Sequence, residues 1–459
     1  MVHPAINNSD DVAVMHSCKV VKATGINQKS TASECIMAQY KKKGTCDYKL
    51  LNYHTRNVMN KKTNILFFLF PFRGHSIQAI KIIKLLNDTS KYNILVDIGD
   101  EYEELLPACI ERHSCLYKFK SNEYQQNYEK DRLINYAEGV MNTVAEYRQW
   151  FSKSNFKPNF ICFDSLAYWG KIISEENGIK SISLHTIQPF DANAFSMHGY
   201  TYLHPYTNAF ANKKEFQRIL HIYEKISIKK HDLKSDFKFS DVLCAKGNNN
   251  IVLVPEYICK YRENLNDSFK IYNPILDNGL LETDMTGKKQ AIYIATGSII
   301  KNSDYLCKCI NSLIELDFEL HVSSGELAEE LRKIYINNKK VHIYNFAPQI
   351  ELLKKCKLFI THGGMNSICE SIYCETPMVV IPFINDEYLN AKMVEENGIG
   401  MMLTNDDEFE TKLMESVINI TNDKNVYNKI QYYSQIMKSI DTDNEVKKIF
   451  ENITQISMR

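Results

Sequence analysis

This sequence carries no net charge, with 55 Lys and Arg against 55 Asp and Glu. No global field therefore gathers a nucleic acid or an anionic membrane surface, and any partner has to be recognised locally. Thirteen cysteines are present, yet none forms a Cys-x-x-Cys pair or joins histidines at zinc spacing. The nearest two, Cys307 and Cys309, fall in a predicted helix where positions two apart diverge. A zinc module is thus not readable from spacing, no metal site is expected, and scattered reduced thiols point to a cytoplasmic protein. Long apolar runs are lacking too. The longest, ILFFLFPF from Ile65 to Phe72, stops at Arg73, far short of the roughly 20 residues that cross a bilayer. The closing stretch EVKKIFENITQISMR is too polar for an anchor, so no integral membrane segment is expected.

The first 58 residues are polar, without helical or strand periodicity and without the apolar region of a secretory signal. They are expected to be a disordered extension, or a misplaced chain start, with Met59 opening the fold. From Asn64 onward, short apolar runs alternate with stretches of helical period, the pattern of a parallel sheet covered by helices. NILFFLF, YNILVDI, NFICFD, KSISLH and a weaker NIVLVP form one series; QAIYIATGS, FELHVSSG, KVHIYNF, KLFITHGG and TPMVVIPF form a second. The turn-rich NPILDNGLLETDMTGKK between them suits a linker. The expected organisation is an α/β chain of two doubly wound domains facing across a cleft: 59–260 for the first, 261–288 for the linker, 289–424 for the second. Residues 425–459 are expected to be C-terminal helices, with a return to the first domain one course open to them. Residues 186–245 are irregular and aromatic, an insertion of the kind that carries specificity.

In FITHGGMNSICE, residues 359–370, a strand runs through Gly-Gly into a helix. With Asn366 or Ser367 beginning the helix, free N–H groups and the positive dipole end would make an anion site. The two glycines would let a phosphate approach, and His362 adds a donor able to become cationic. Neither a Walker A loop nor G-x-G-x-x-G is present, and a purely structural turn stays open on this fragment alone.

The longer stretch FAPQIELLKKCKLFITHGGMNSICESIYCETPMVVIPFINDEYLNAKMVEENGIGMML, residues 346–403, resembles the donor signature of the UDP-glycosyltransferase family (glycosyltransferase family 1), within it the bacterial macrolide-glycosyltransferase-like branch. The resemblance covers about 340 residues after position 60. It implies the GT-B fold of two Rossmann-like domains and a UDP-sugar as donor co-substrate, with no cofactor. It also assigns roles. Phe346 would stack on uracil, a place usually held by Trp; Ala347 and Gln349 would contact base and ribose. His362, Gly363, Gly364, Asn366 and Ser367 would hold the pyrophosphate, Glu370 the ribose hydroxyls, and Ser298 would touch the phosphates. Asp386 and Glu387 stand where the family often has Asp-Gln on the sugar, and the usual Gly before Pro377 is Thr376. These departures bear on which sugar is used; a helix start with acidic residues in its first turn is the plain alternative.

In FPFRGHSIQAIKIIKLL, His75 follows a strand and precedes a helix whose Ile77, Ile80, Ile83 and Leu86 share a face, so it is read as a loop residue at the sheet's carboxyl edge. The resemblance makes it the general base and makes Asp164, at the end of NFICFD, its partner; N-capping the next helix is the alternative for Asp164. The implied reaction is inverting, metal-independent transfer of a hexose, glucose first, to a hydroxyl of a small lipophilic acceptor, and no D-x-D motif stands beside the donor site. Phe72, Tyr168, Trp169 and Phe190 are expected to wall the acceptor pocket. Two other readings stay open: a UDP-sugar-binding protein without activity, and a GT-B epimerase acting on the UDP-sugar, which would want acidic groups in the cleft.

Overall fold

Runs such as TNILFF and AIYIA, apolar at almost every position, have no face to offer water, so they form strands only where both faces of a sheet are covered. The computed structural model of the chain bears this out in residues 62–117, 129–189, 212–276, 290–297, 302–383, 386–404 and 406–457, the residues it describes. The chain divides into two units, Met1–Lys62 and Thr63–Arg459. All described elements belong to the second, and the extension expected over 1–58 lies outside the described residues.

The first sheet holds β1 (Thr63–Phe68), β2 (Tyr92–Ile98), β3 (Glu111–Ser114), β4 (Phe160–Asp164), β5 (Lys180–His185), β6 (Asn249–Leu253) and β7 (Phe269–Tyr272). The second holds β8 (Ala291–Ala295), β9 (Glu319–Ser323), β10 (Val341–Tyr344), β11 (Leu358–Thr361), β12 (Met378–Val380) and β13 (Gly400–Met402). Their orders are β3-β2-β1-β4-β5-β6-β7 and β10-β9-β8-β11-β12-β13. All the pairings are parallel. Each order reverses once, between β1 and β4 and between β8 and β11, and such a switch point is where loops part and ligands sit in doubly wound sheets.

Eight helices bear on the site: α1 (Arg73–Asn87), α2 (Glu129–Lys153), α3 (Tyr168–Glu176), α4 (Gln349–Lys355), α5 (Met365–Tyr373), α6 (Glu387–Glu396), α7 (Lys424–Lys438) and α8 (Thr442–Ser457). The halves are not independent. Val254 and Ile258, just beyond β6, share one apolar cluster with Ile368 and Ile372 of α5 and Met437 of α7. Tyr257 stacks on Tyr433 at 4.3 Å. The last helix crosses back, since Val446, Phe450 and Ile453 of α8 are buried in the core of the first sheet, with Phe450 stacked on Phe67 of β1. Burial of each such side chain is worth about 1.5–3 kcal/mol.

Candidate active site

β1 and the two residues after it are buried from Ile65 to Phe70, and Pro71 follows. Phe72 keeps extended dihedrals and opens α1 without a side-chain cap. His75 therefore lies in the first turn of the helix, not on the loop that the sequence suggested, and the turn is held by Ser76, whose hydroxyl donates to the Phe70 carbonyl at 3.0 Å. Register brings the partners to the same edge: Phe68 lies opposite Phe163, and Asp164 opposite Leu184. His75 Nδ1 stands 2.9 and 3.0 Å from the two Asp164 carboxylate oxygens. Thr186, just beyond β5, places its hydroxyl 3.0 Å from the same nitrogen.

Asp164 is buried and also accepts from the Leu166 N–H at 2.9 Å; it does not cap α3, whose N-cap is Ala167. A carboxylate on Nδ1 selects the Nδ1–H tautomer and leaves the Nε2 lone pair for another proton. His75 is 9% exposed. Burial lowers its pKa, but the Asp164 charge and hydrogen bond, with a further contribution from Asp386, outweigh that and raise it above 6.5.

On the other switch point, Ala295 lies opposite Thr361, so Gly297 and His362 emerge side by side. The sequence reading gave the glycines to an approaching phosphate, whereas their immediate neighbours are protein atoms. A Cβ on Gly297 or Gly364 would come within 2.7 Å of the His362 ring, and one on Gly363, with φ at +97°, within 2.7 Å of Val380. The glycines seat the imidazole and clear the turn. Gly364, not Asn366 or Ser367, is the N-cap of α5, and no side chain caps the helix. Its first-turn N–H groups are left without an intrahelical acceptor. Burial, opposed by a backbone hydrogen bond at Ala295, lowers the His362 pKa to about 4. Burial thereby favours the neutral ring over the cationic form that the sequence allowed.

Gln349, Ser367, Glu370 and Tyr293 meet in one group. The Gln349 amide donates to Glu370 at 2.6 Å and to Ser367 Oγ at 3.3 Å, and accepts from the Tyr293 hydroxyl at 3.1 Å. Ala347 packs partly buried beside them, and the Phe346 ring is 79% exposed, an uncovered aromatic face. Asn366 instead reaches α1, donating to the Gly74 carbonyl at 2.7 Å and accepting from Gln78 at 3.2 Å. Gln78 in turn accepts from the Ile275 N–H at 2.9 Å.

Asp386 precedes α6 and accepts from Asn390 Nδ2 at 3.0 Å, which also donates to the Gly363 carbonyl at 3.0 Å. Burial raises the Asp386 pKa against the Asn390 hydrogen bond and the His75 field. Glu387 is buried, its carboxylate accepting from the Phe383 N–H at 2.8 Å.

The expected acceptor wall is corrected in part. Phe72 is partly buried against Phe70. Trp169 has no exposed surface; it stacks at 5.3 Å on Tyr147 of α2 inside the core, because α3 turns inward directly after β4. Tyr168, 3% exposed, packs on Phe237. Both lie behind the site and not on its surface. Phe190 and Ser298 fall outside the described residues. Asn390 belongs to an Asn-Ala that is part of the family resemblance; Thr186, Gln78 and Tyr293 were not singled out in the sequence, and among these only Thr186 carried a signal, its place directly after a strand of the first series.

The C-terminal domain of glycosyltransferase family 28 matches residues 292–448, a number different from the family 1 of the motif resemblance. An uncharacterized UDP-glucosyltransferase of Bacillus subtilis, YojK, is 23% identical over 82% of this chain and 94% of its own length. NDP-glycosyltransferase YjiC of Bacillus licheniformis is 27% identical over 60% of this chain and 67% of its own. Among solved structures the calicheamicin glycosyltransferase CalG4 superposes with a TM-score of 0.67 at 14% identity, over 86% of this chain and 99% of that one.

Proposed function

We infer, for a chain that belongs to the UDP-glycosyltransferases of GT-B fold and takes a nucleotide sugar as donor, that it transfers a hexose from UDP to a hydroxyl of a small lipophilic acceptor with inversion. The observation that carries this reading is the His75–Asp164 pair, bonded through Nδ1 so that the Nε2 lone pair is left for a proton, meeting the start of α5 through the Asn366–Gly74 bond. Glucose is the first candidate because YojK bears the name of a UDP-glucosyltransferase. Phe72, partly buried beside the His75 ring, supports an acceptor with an apolar body. Thiols free in all ten described cysteines support a reducing, cytoplasmic setting. No helix among the described residues is long and apolar enough to cross a membrane.

In this mechanism the acceptor oxygen forms its bond to the anomeric carbon as that carbon's bond to the diphosphate oxygen breaks. The hydroxyl proton passes to His75 Nε2, and Asp164 stabilises the imidazolium, a form of assistance worth about 100- to 10,000-fold. Attack opposite the leaving group turns an α-linked donor into a β-glycoside. The departing UDP is met by the uncapped N–H groups of α5 and the His362 ring, with the helix dipole adding on the order of 1 kcal/mol. Phe346 offers its exposed face to uracil, Ala347 and Gln349 adjoin base and ribose, Glu370 takes the ribose hydroxyls, and Asp386 faces the sugar. This chemistry needs no metal.

The deciding experiment measures UDP release from several UDP-sugars against a panel of alcohols and phenols, with and without EDTA, and the product's anomeric configuration by NMR. A β-glycoside formed equally well in EDTA is expected. An α-glycoside, complete loss on chelation restored by magnesium, or epimerised UDP-sugar with no acceptor consumed would overturn the reading.

A further inference from the structure

At the outer side of the second sheet, β9 and β10 run parallel with His321 directly opposite His342. Side chains two apart on a strand share a face, so Glu319 stands on the same face as His321, one step toward the amino end of β9. Leu320 and Val322 point the other way into the core. The two imidazoles stack with centroids 4.9 Å apart, and Glu319 Oε2 lies 3.9 Å from His321 Nε2. One ligand atom from each of the three side chains falls within 4.8 Å of the other two. The remaining nitrogen of His321, Nδ1, lies 3.0 Å from the Tyr344 hydroxyl. That arrangement fixes the ring and turns Nε2 toward Glu319, as outer-shell partners do for metal-bound histidines.

We propose that Glu319, His321 and His342 form a binding site for a divalent transition-metal ion of the zinc type. Two neutral imidazoles and one carboxylate are the donors such ions prefer over magnesium or calcium, which take oxygen. Bonds of about 2.0–2.2 Å to a tetrahedral ion set ligand atoms roughly 3.3–3.6 Å apart. The rings and the carboxylate close by about an ångström to reach that spacing, and the strands already hold their Cα atoms in place. Solvent fills the open coordination position on the exposed side. Sequence spacing could not reveal the site because its histidines come from two strands brought together by pairing. It stands on the sheet face, toward the amino ends of the strands, whereas the glycosyl-transfer residues follow the carboxyl ends. The ion pins the edge strand β10 to β9 and takes no part in the transfer.

The test uses the full chain stripped with EDTA and titrated with Co2+, whose visible ligand-field bands differ from the intense near-ultraviolet band of a thiolate-bound ion. Saturable binding of one ion per chain without a thiolate band is expected, with a thermal midpoint raised by at least about 2 °C at saturation. His342→Ala should weaken binding at least tenfold and abolish the rise. Tyr344→Phe, which keeps all three ligands, should weaken it by about 10- to 100-fold through the loosened His321 ring; it serves as the deciding variant if His342→Ala does not fold. Failure of the wild type to bind, a thiolate spectrum, or unchanged affinity in both variants would overturn the site.

Discussion

His75 and Asp164 lie 89 positions apart in sequence and 2.9 Å apart in space, so each substitution breaks the same unit. His75→Ala should lower transfer at least about 100-fold while UDP still binds, and Asp164→Asn should also be impaired because an amide cannot stabilise the imidazolium. Rates for both single variants and the double variant, with UDP affinity by calorimetry, check this; multiplicative losses would separate the two residues. The raised His75 pKa adds a pH signature. The base must be unprotonated, so the acid limb of kcat/KM should have its midpoint above pH 6.5, and Asp164→Asn should move that midpoint down as the plateau falls. A limb unmoved by Asp164→Asn would assign it to another group. Sequence alone made His75 an ordinary loop histidine; only the family resemblance paired it with Asp164. Thr186 was marked only by its place after a strand, because nothing else local distinguishes a hydroxyl that meets an imidazole from one that meets water.

At the scale of strands and helices, the central strands were legible from their unbroken apolar runs. The three that were not, β3, β7 and β13, are all edge strands of three or four residues. An edge strand needs neither length nor two apolar faces, so ERHS, FKIY and GMM leave no pattern to read. The Gly-Gly turn was legible as a turn, but not that a Cβ there would collide with His362 and Val380. Gly363→Ala should therefore destabilise the fold by about 1–3 kcal/mol, measured as a lower urea midpoint with unchanged slope; a wild-type midpoint would mean that the turn tolerates a Cβ. Burial lowers the pKa of both His362 and His185 to about 4. Such groups stabilise the fold fully above their unfolded value near 6.5, and that contribution is lost as pH falls toward 4, on the order of 3 kcal/mol each. His75, with a raised value, acts in the opposite sense and gains stability below its folded pKa. Urea unfolding at pH 7 and pH 5 should show a net loss on acidification that is smaller in His185→Asn; an equal loss in both would remove His185 as a cause.

For the whole molecule, two doubly wound halves were readable from the repeated strand–helix alternation, while the return of the C-terminal helices to the first domain stood as one course open to them. Val446, Phe450 and Ile453 recur at helical spacing and announce a buried face without saying what covers it. The structure places them on the first sheet, reached only after the chain has built the second. Ending the chain before Thr442 should therefore cut soluble yield and lower the thermal midpoint, even though no residue of the proposed transfer site is removed. Full yield with an unchanged midpoint would show that α8 is dispensable. The same crossing bears on how the protein is made. A ribosome adding about 5–20 residues each second finishes β7 roughly ten to forty seconds before it finishes α8. Throughout that interval the emerging first half carries an uncovered apolar strip over Phe67. Its solubility during translation depends on chaperone cover, or on elongation fast enough that the closing helix arrives before another nascent chain does.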